Sequence, residues 1–204
     1  MRIESVQVGK PVRAGEMRTA FGKHPVQGPV RVGRTNLEGD GQADRRYHGG
    51  PDMAVLSYAA DHYAAWREEL GWPELPLGGF GENLSVSGAT EESVCLGDVW
   101  RAGTARLQIA SPRNPCVKIA RYWGRPELLR RVFETGRTGW YLRVLDEGVV
   151  EAGAAIELLD RPHAAWTVAR AGRVAMARRA DRSAARELAE VGSLPRRWKA
   201  WLLG

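Results

Sequence analysis

The chain has 204 residues, a formal net charge of +6, 26% charged residues and 44% hydrophobic residues, which suits one domain with a sizeable core, or one domain and a small appendage. No apolar run is long enough to span a bilayer, the first residues lack the apolar segment of a secretion signal, and two cysteines are too few for a disulfide framework. A soluble protein of a reducing, cytoplasmic setting is expected. The charge is unevenly placed, with ten Arg/Lys against three Asp/Glu in residues 161–204. Such a tail admits nucleic-acid contact, but a solvated helical face is the commoner cause, so neither nucleic acid nor membrane is expected as a partner.

Residues 2–8 alternate apolar and polar, which predicts an opening strand. Short β-prone pieces follow around Val12, around Thr19-Ala20-Phe21 and at Val30-Arg31-Val32, broken by Gly and Pro. That punctuation favours a meandering sheet or barrel over βαβ units. Residues 36–52 form a long polar segment ending in His48-Gly49-Gly50-Pro51, and a loop of this length in a compact domain is often functional. Its glycines permit close backbone approach to a ligand. Met53 to Tyr58 reads as a short apolar strand, and residues 61–70 as a helix that buries Tyr63, Trp66 and Leu70.

Gly78-Gly79-Phe80-Gly81-Glu82-Asn83 is glycine-rich but matches neither a dinucleotide fingerprint nor a phosphate loop. Val94 to Arg101 reads as a strand that admits a turn or bulge at Gly97-Asp98, and Cys95 in it is a packing residue. Ala105 to Ala110 is another strand, and it leads into Ser111-Pro112-Arg113-Asn114-Pro115-Cys116-Val117-Lys118. Here Asn114 is expected as N-cap and Pro115 as the first position of a short helix ending at Gly124, with Cys116 in the first turn. A thiol there meets unpaired backbone N–H groups and two nearby cations, all of which favour the thiolate. A small buried packing residue is the alternative.

A second helix is predicted from Pro126 to about Glu134, burying Leu128, Leu129, Val132 and Phe133. Strands follow at 140–145 and 154–159, joined by a turn near Glu147-Gly148. After Asp160 the composition shifts to Ala and Arg. Three short helices are expected near 167–179, 182–191 and 195–203, with Trp198, Trp201 and Leu202 as an apolar stripe. A unit this small docks on the main domain or on a second copy of the chain, as in a homodimer. The organisation predicted is a domain over 1–160 and a three-helix extension over 161–204.

The four histidines, His24, His48, His62 and His163, are scattered. No zincin, paired-cysteine or calcium-loop motif is present, and no nucleophile elbow. A Cys116–His48 nucleophile pair stays open.

Taken in order, several segments resemble the MOSC domain family in its YiiM-like branch. They are Gly28-Pro29-Val30, Leu37-Glu38-Gly39-Asp40 through His48-Gly49-Gly50-Pro51-Asp52, Phe80-Gly81-Glu82-Asn83-Leu84, Gly97-Asp98, Ser111-Pro112-Arg113 with Pro115-Cys116 and Lys118, and Thr135-Gly136-Arg137-Thr138-Gly139. The tail from Leu188 through Trp198 resembles the three-helix extension of this branch. The resemblance implies a mainly β, MOSC-type β-barrel with flanking helices. It also implies a molybdenum cofactor, with Cys116 ligating molybdenum carried on a pyranopterin dithiolene. The cofactor's phosphate and pterin would meet Lys23, Asp40, Arg45, Arg46, Gly49, Gly50, Arg113 and Lys118, with Glu82 and Asn83 either on the pterin edge or bracing their loop. The activity implied is reduction of N-hydroxylated compounds such as N-hydroxylaminopurines to amines, a detoxifying role, with Cys116 and His48 as catalytic residues. Neither a flavin nor an iron–sulfur motif is present and pyridoxal phosphate is not expected, so an external electron-donor protein is implied. A non-catalytic cofactor carrier, or a protein holding a persulfide on Cys116, is the alternative, and nucleic-acid binding by the basic tail is a third reading.

Overall fold

The computed structural model describes residues 1–44 and 48–204. In chain order the strands are β1 (Arg2–Val8), β2 (Val12–Ala14), β3 (Met17–Thr19), β4 (His24–Pro25), β5 (Val30–Gly33), β6 (Asn36–Leu37), β7 (Val55–Ala59), β8 (Leu84–Ser87), β9 (Val99–Ala102), β10 (Ala105–Pro112), β11 (Trp140–Asp146), β12 (Gly148–Val150) and β13 (Ile156–Asp160). The helices are α1 (His62–Glu69), α2 (Lys118–Trp123), α3 (Glu127–Thr135), α4 (Val168–Ala177), α5 (Arg182–Ala189) and α6 (Arg196–Leu203). No helix among the described residues is long and apolar enough to cross a membrane.

Alternation along the strands places the core. Leu107 and Ile109 of β10 face inward with Leu142 and Val144 of β11, while Arg106 and Asp146 pair outside at 2.8 Å. Eight strands make one sheet in the order β13-β9-β10-β11-β7-β8-β1-β4, antiparallel except for β7 with β8. The sheet curls until β1 meets the start of β13 at a bridge between Arg2 and Ala155. The Ile3 N–H donates to Ala154 O at 3.0 Å beside that bridge. This barrel-like closure covers edges that would otherwise be open to other chains.

Two clusters of buried side chains fill the molecule. The larger lies inside the curled sheet and runs on without a break into the C-terminal helices through Trp166, Val168, Ala171, Leu188, Leu194 and Leu202. The smaller is aromatic: Tyr58, Tyr63, Trp66 and Phe80 pack with Ile119, Leu128 and Val132. Tyr58 and Phe80 stack with ring centroids 4.4 Å apart, and the Trp66 indole N–H donates to the Tyr58 hydroxyl at 2.7 Å.

The three C-terminal helices fall where the apolar spacing predicts them. Elsewhere the structure differs from expectation in identifiable ways. The turn admitted at Gly97-Asp98 is present, but the strand expected before it from Val94 is not, because the buried Asp98 carboxylate ties the stretch back to Cys95. It accepts the Cys95 N–H at 3.0 Å and both Arg161 nitrogens at 2.7 and 2.9 Å. Cys95 is a buried packing residue, as expected, bridged to Thr167. Phe133 is 38% exposed rather than buried. The region near Glu147-Gly148 is a strand, β12, which pairs with β5.

Candidate functional site

The site is built where β10 ends. A register shift between Ile109 and Ser111 bulges β10 against β11, and the next residues, Ala110 to Arg113, are all buried. A bulge bends the strand that carries it, here directly before the cysteine segment. The chain crosses Asn114 and Pro115 to Cys116, then enters α2, whose Ile119 is anchored in the aromatic cluster. Full burial of such a side chain contributes about 1.5–3 kcal/mol.

The helix starts later than the sequence predicts. Its N-cap is Val117, not Asn114, so Cys116 precedes the first turn. Pro115 packs as a buried residue of the approach instead of opening the helix.

Cys116 lines a cavity together with Lys23, Asp40, His48, Gly49, Asn83, Arg113 and Lys118. The long polar loop and the cysteine segment, far apart in sequence, thus share one wall. Gly50 is exposed, opens the 3₁₀ turn Pro51–Met53 and is not part of the lining. Arg45 and Arg46 lie outside the described residues. Gly49 has φ of 93°, and a Cβ there would sit 3.1 Å from Gln42, so the backbone runs bare along the cavity edge.

Glu82 does not face the cavity. Its fully buried carboxylate accepts hydrogen bonds from the Tyr63 hydroxyl at 2.6 Å, Gly78 N–H at 2.8 Å, Phe80 N–H at 3.1 Å and Ser85 hydroxyl at 2.8 Å. It is the brace of the glycine loop. Asn83 both lines the cavity and holds strands: Leu56 N–H donates to its Oδ1 at 3.1 Å, and its Nδ2 donates to Gln7 O at 3.2 Å and Asp40 Oδ2 at 2.9 Å.

Lys23 and Asp40 form a buried ion pair, with side chains 7% and 2% exposed. Gly9 N–H donates to the same carboxylate at 2.8 Å. Burial holds the Lys23 ammonium below its ordinary pKa in spite of Asp40. Among the described residues lining the cavity, the cations left to act on a guest are therefore Arg113 and Lys118. Arg113 is 7% exposed, and among the described residues its Nη1 is buried without a hydrogen-bond partner. Lys118 makes no ion pair among the described residues.

His48 is held below its ordinary value of 6.5 by burial first, then by the charges of Lys118 and Arg113. Burial likewise pushes the Tyr141 phenol up, opposed by Arg113. Tyr141, Met53 and Phe21 line the cavity but are not among the residues the sequence singles out. Tyr141 reaches it through its pairing with Ser111, a register that sequence spacing does not reveal.

Among the described residues no group of three or more His, Cys, Asp or Glu side chains is placed to hold a metal ion. Among the described residues the cavity offers one free thiol, one neutral imidazole, the cations Arg113 and Lys118, and exposed backbone. This donor set suits a guest with anionic oxygens, or a metal that brings most of its own ligands.

The family model for the MOSC domain matches residues 44–157. The uncharacterized protein YflK of Bacillus subtilis (strain 168) is 42% identical over 200 residues, covering 96% of this chain and 90% of that protein. A protein of Gibberella moniliformis (strain M3125 / FGSC 7600) named "Reductase" is 37% identical over 198 residues, which is 96% of this chain but 35% of that longer protein. The crystal structure of YiiM from Geobacillus stearothermophilus superposes with a TM-score of 0.86 at 35% identity, covering 100% of this chain and 99% of that one. The chain belongs to the MOSC domain family, in its YiiM-like branch.

Proposed function

We propose that this protein is a molybdenum-cofactor-dependent reductase of N-hydroxylated small molecules such as N-hydroxylaminopurines. The observation that carries the reading is the pairing in one cavity of the free thiol Cys116 with the buried guanidinium of Arg113, whose Nη1 has no hydrogen-bond partner among the described residues. MOSC domains are associated with the molybdenum cofactor. A single protein thiol suffices where the dithiolene supplies further sulfur ligands, and an orphaned Nη1 is an open donor for a phosphate oxygen. The name "Reductase" of the fungal relative supports an oxidoreductase role.

In this reading Cys116 holds the metal. Arg113 and Lys118 would bind the phosphate, and the bare backbone at Gly49 would leave room for the guest. Lys23 is fixed by Asp40 and contributes shape more than charge. When bound, the cofactor supplies two-electron reduction of the N–O bond. The overall reaction converts R–NHOH, two electrons and two protons into R–NH2 and water, the electrons coming from an external donor protein. His48, neutral near pH 7 because burial and the charges of Lys118, Arg113 and Arg197 disfavour its charge, relays a proton at its ring nitrogens. Two free thiols suit a reducing cytoplasm.

The test is metal and released-pterin analysis on protein made in a cofactor-competent host, with turnover of 6-hydroxylaminopurine. Cys116→Ser should abolish reduction, whereas Cys95→Ser, if folded, should retain it. Wild type that binds molybdopterin tightly without reducing substrate would make the protein a carrier. Equal turnover of Cys116→Ser at equal molybdenum loading would remove the thiolate from the mechanism.

A further inference from the structure

A second cavity, of about 500 Å³ against about 110 Å³ for the first by the same measure, adjoins the first along Arg113 and Asn114. Arg113 and Asn114 line both cavities, so a ring bound in the second lies next to the cavity that holds the Cys116 thiol. The far side of the second cavity is made by the C-terminal helices, which lie beyond the residues matched by the MOSC family model. Trp198 and Trp201 stand edge to face there with centroids 5.3 Å apart, opposite Phe133 of α3 and beside Met176 of α4. Phe133 and Met176 are 38% and 61% exposed, large apolar side chains left without cover.

The chemistry of this lining selects a guest. Indoles, a phenyl ring and a thioether favour a flat aromatic face. The ion pairs at its rim are already satisfied, Arg173 with Glu92 at 2.8 Å and Glu134 with Arg130 at 2.7 Å, so the rim does not call for a charged macromolecule. A volume near 500 Å³ lies within the usual range for small-molecule sites. A cofactor filling the first cavity leaves this one as the adjoining space for an organic ring.

We infer that the cleft between α3 and the C-terminal helices is the binding site for the planar heteroaromatic ring of the substrate, held by Trp198 and Trp201 where the cleft adjoins the Cys116 cavity. As a substrate site it rests on the reductase reading above; as an aromatic site it does not. The three-helix extension then has a task in the chemistry of the barrel beyond completing its core.

The test uses full-length, cofactor-free protein, with 6-hydroxylaminopurine and the saturated N-cyclohexylhydroxylamine as probes. Indole N–H signals of Trp198 and Trp201, assigned through Phe variants, should shift with the purine and not with the cyclohexyl compound. Trp201→Ala should weaken purine binding roughly tenfold, the usual size of a lost base-stacking contact. Because Trp201 also packs on the core, a second variant keeps the test independent of folding. Gly172 of α4 lines the cavity, and a Cβ added there meets nothing within 4 Å. Gly172→Leu should keep or raise the melting temperature, since leucine is the better helix former. It should also block purine binding by filling the cleft.

Purine binding that leaves both indoles unshifted, or that survives Gly172→Leu, overturns the assignment. In the loaded enzyme, Gly172→Leu should raise KM for the purine much more than it lowers kcat. Unchanged KM sinks the site and spares the reductase reading. Ring binding lost in Gly172→Leu, with no wild-type turnover, sinks the reductase reading and spares the site.

Discussion

Replacing Asp40 with alanine isolates the buried pair on which one side of the cavity is built. The carboxylate, 2% exposed, compensates a Lys23 ammonium that is 7% exposed, and it also accepts from Gly9 at 2.8 Å and Asn83 at 2.9 Å. Asp40→Ala leaves that ammonium buried without its partner, at a cost of about 3–5 kcal/mol. For a chain of this size the loss lowers the melting temperature by roughly 6–20 °C. The pH dependence has a definite sign. Burial already holds Lys23 below its ordinary value of 10.5, and removing Asp40 lowers it further. The folded state then sheds its proton before the unfolded chain does. Stability of the variant should rise with pH from neutrality toward 10.5, more steeply than in wild type. The assay is urea denaturation at pH 7 and pH 9, with Lys23→Met/Asp40→Ala as the second corner of the cycle. The double variant should recover most of the loss, because neither buried charge remains. An Asp40→Ala midpoint within about 1 kcal/mol of wild type refutes the argument, as does a double variant no more stable than the single one.

Three further outcomes are expected. His48 should titrate below 6.5 in cofactor-free protein followed by NMR, and Lys118→Met should move that titration upward. Since the folded state resists this proton more than the unfolded chain, the His48 contribution is lost as pH falls below 6.5, and His48→Gln should flatten that part of the acid limb. Glu82→Gln puts an amide donor among four donors and should cost about 1–3 kcal/mol, seen as a lower melting temperature with the glycine loop exchanging faster. Truncation after Asp160 removes Trp166, Leu188 and Leu202 from the main core and strips Asp98, fully buried, of Arg161, so the product should be insoluble. A soluble, monomeric truncation with unchanged stability would mean that the helices are an independent unit.

What the sequence determined by itself was local and periodic. Strand β1, helix α1 and the three C-terminal helices follow from residue spacing, because each has an apolar face that must be buried. The Cys116 segment was legible because a thiol, two prolines and two cations stand together. The cysteine's place before the helix was not, since the same residues also satisfy the rules for an N-terminal cap; packing of Pro115 and Ile119 chose between the two. Strands of two or three residues, such as β6 and β12, carry too little pattern to be read and exist through the partners they pair with. The roles of Glu82 and Asp40 were decided only in three dimensions. A carboxylate in a glycine-rich loop serves a ligand or the loop equally well on paper, and burial with four donors assigns Glu82 to the loop. Asp40 neutralises Lys23, which among the described residues leaves Arg113 as the buried cation with a vacant donor. That distinction depends on distances between residues far apart in the chain, a quantity set by sheet register and core packing.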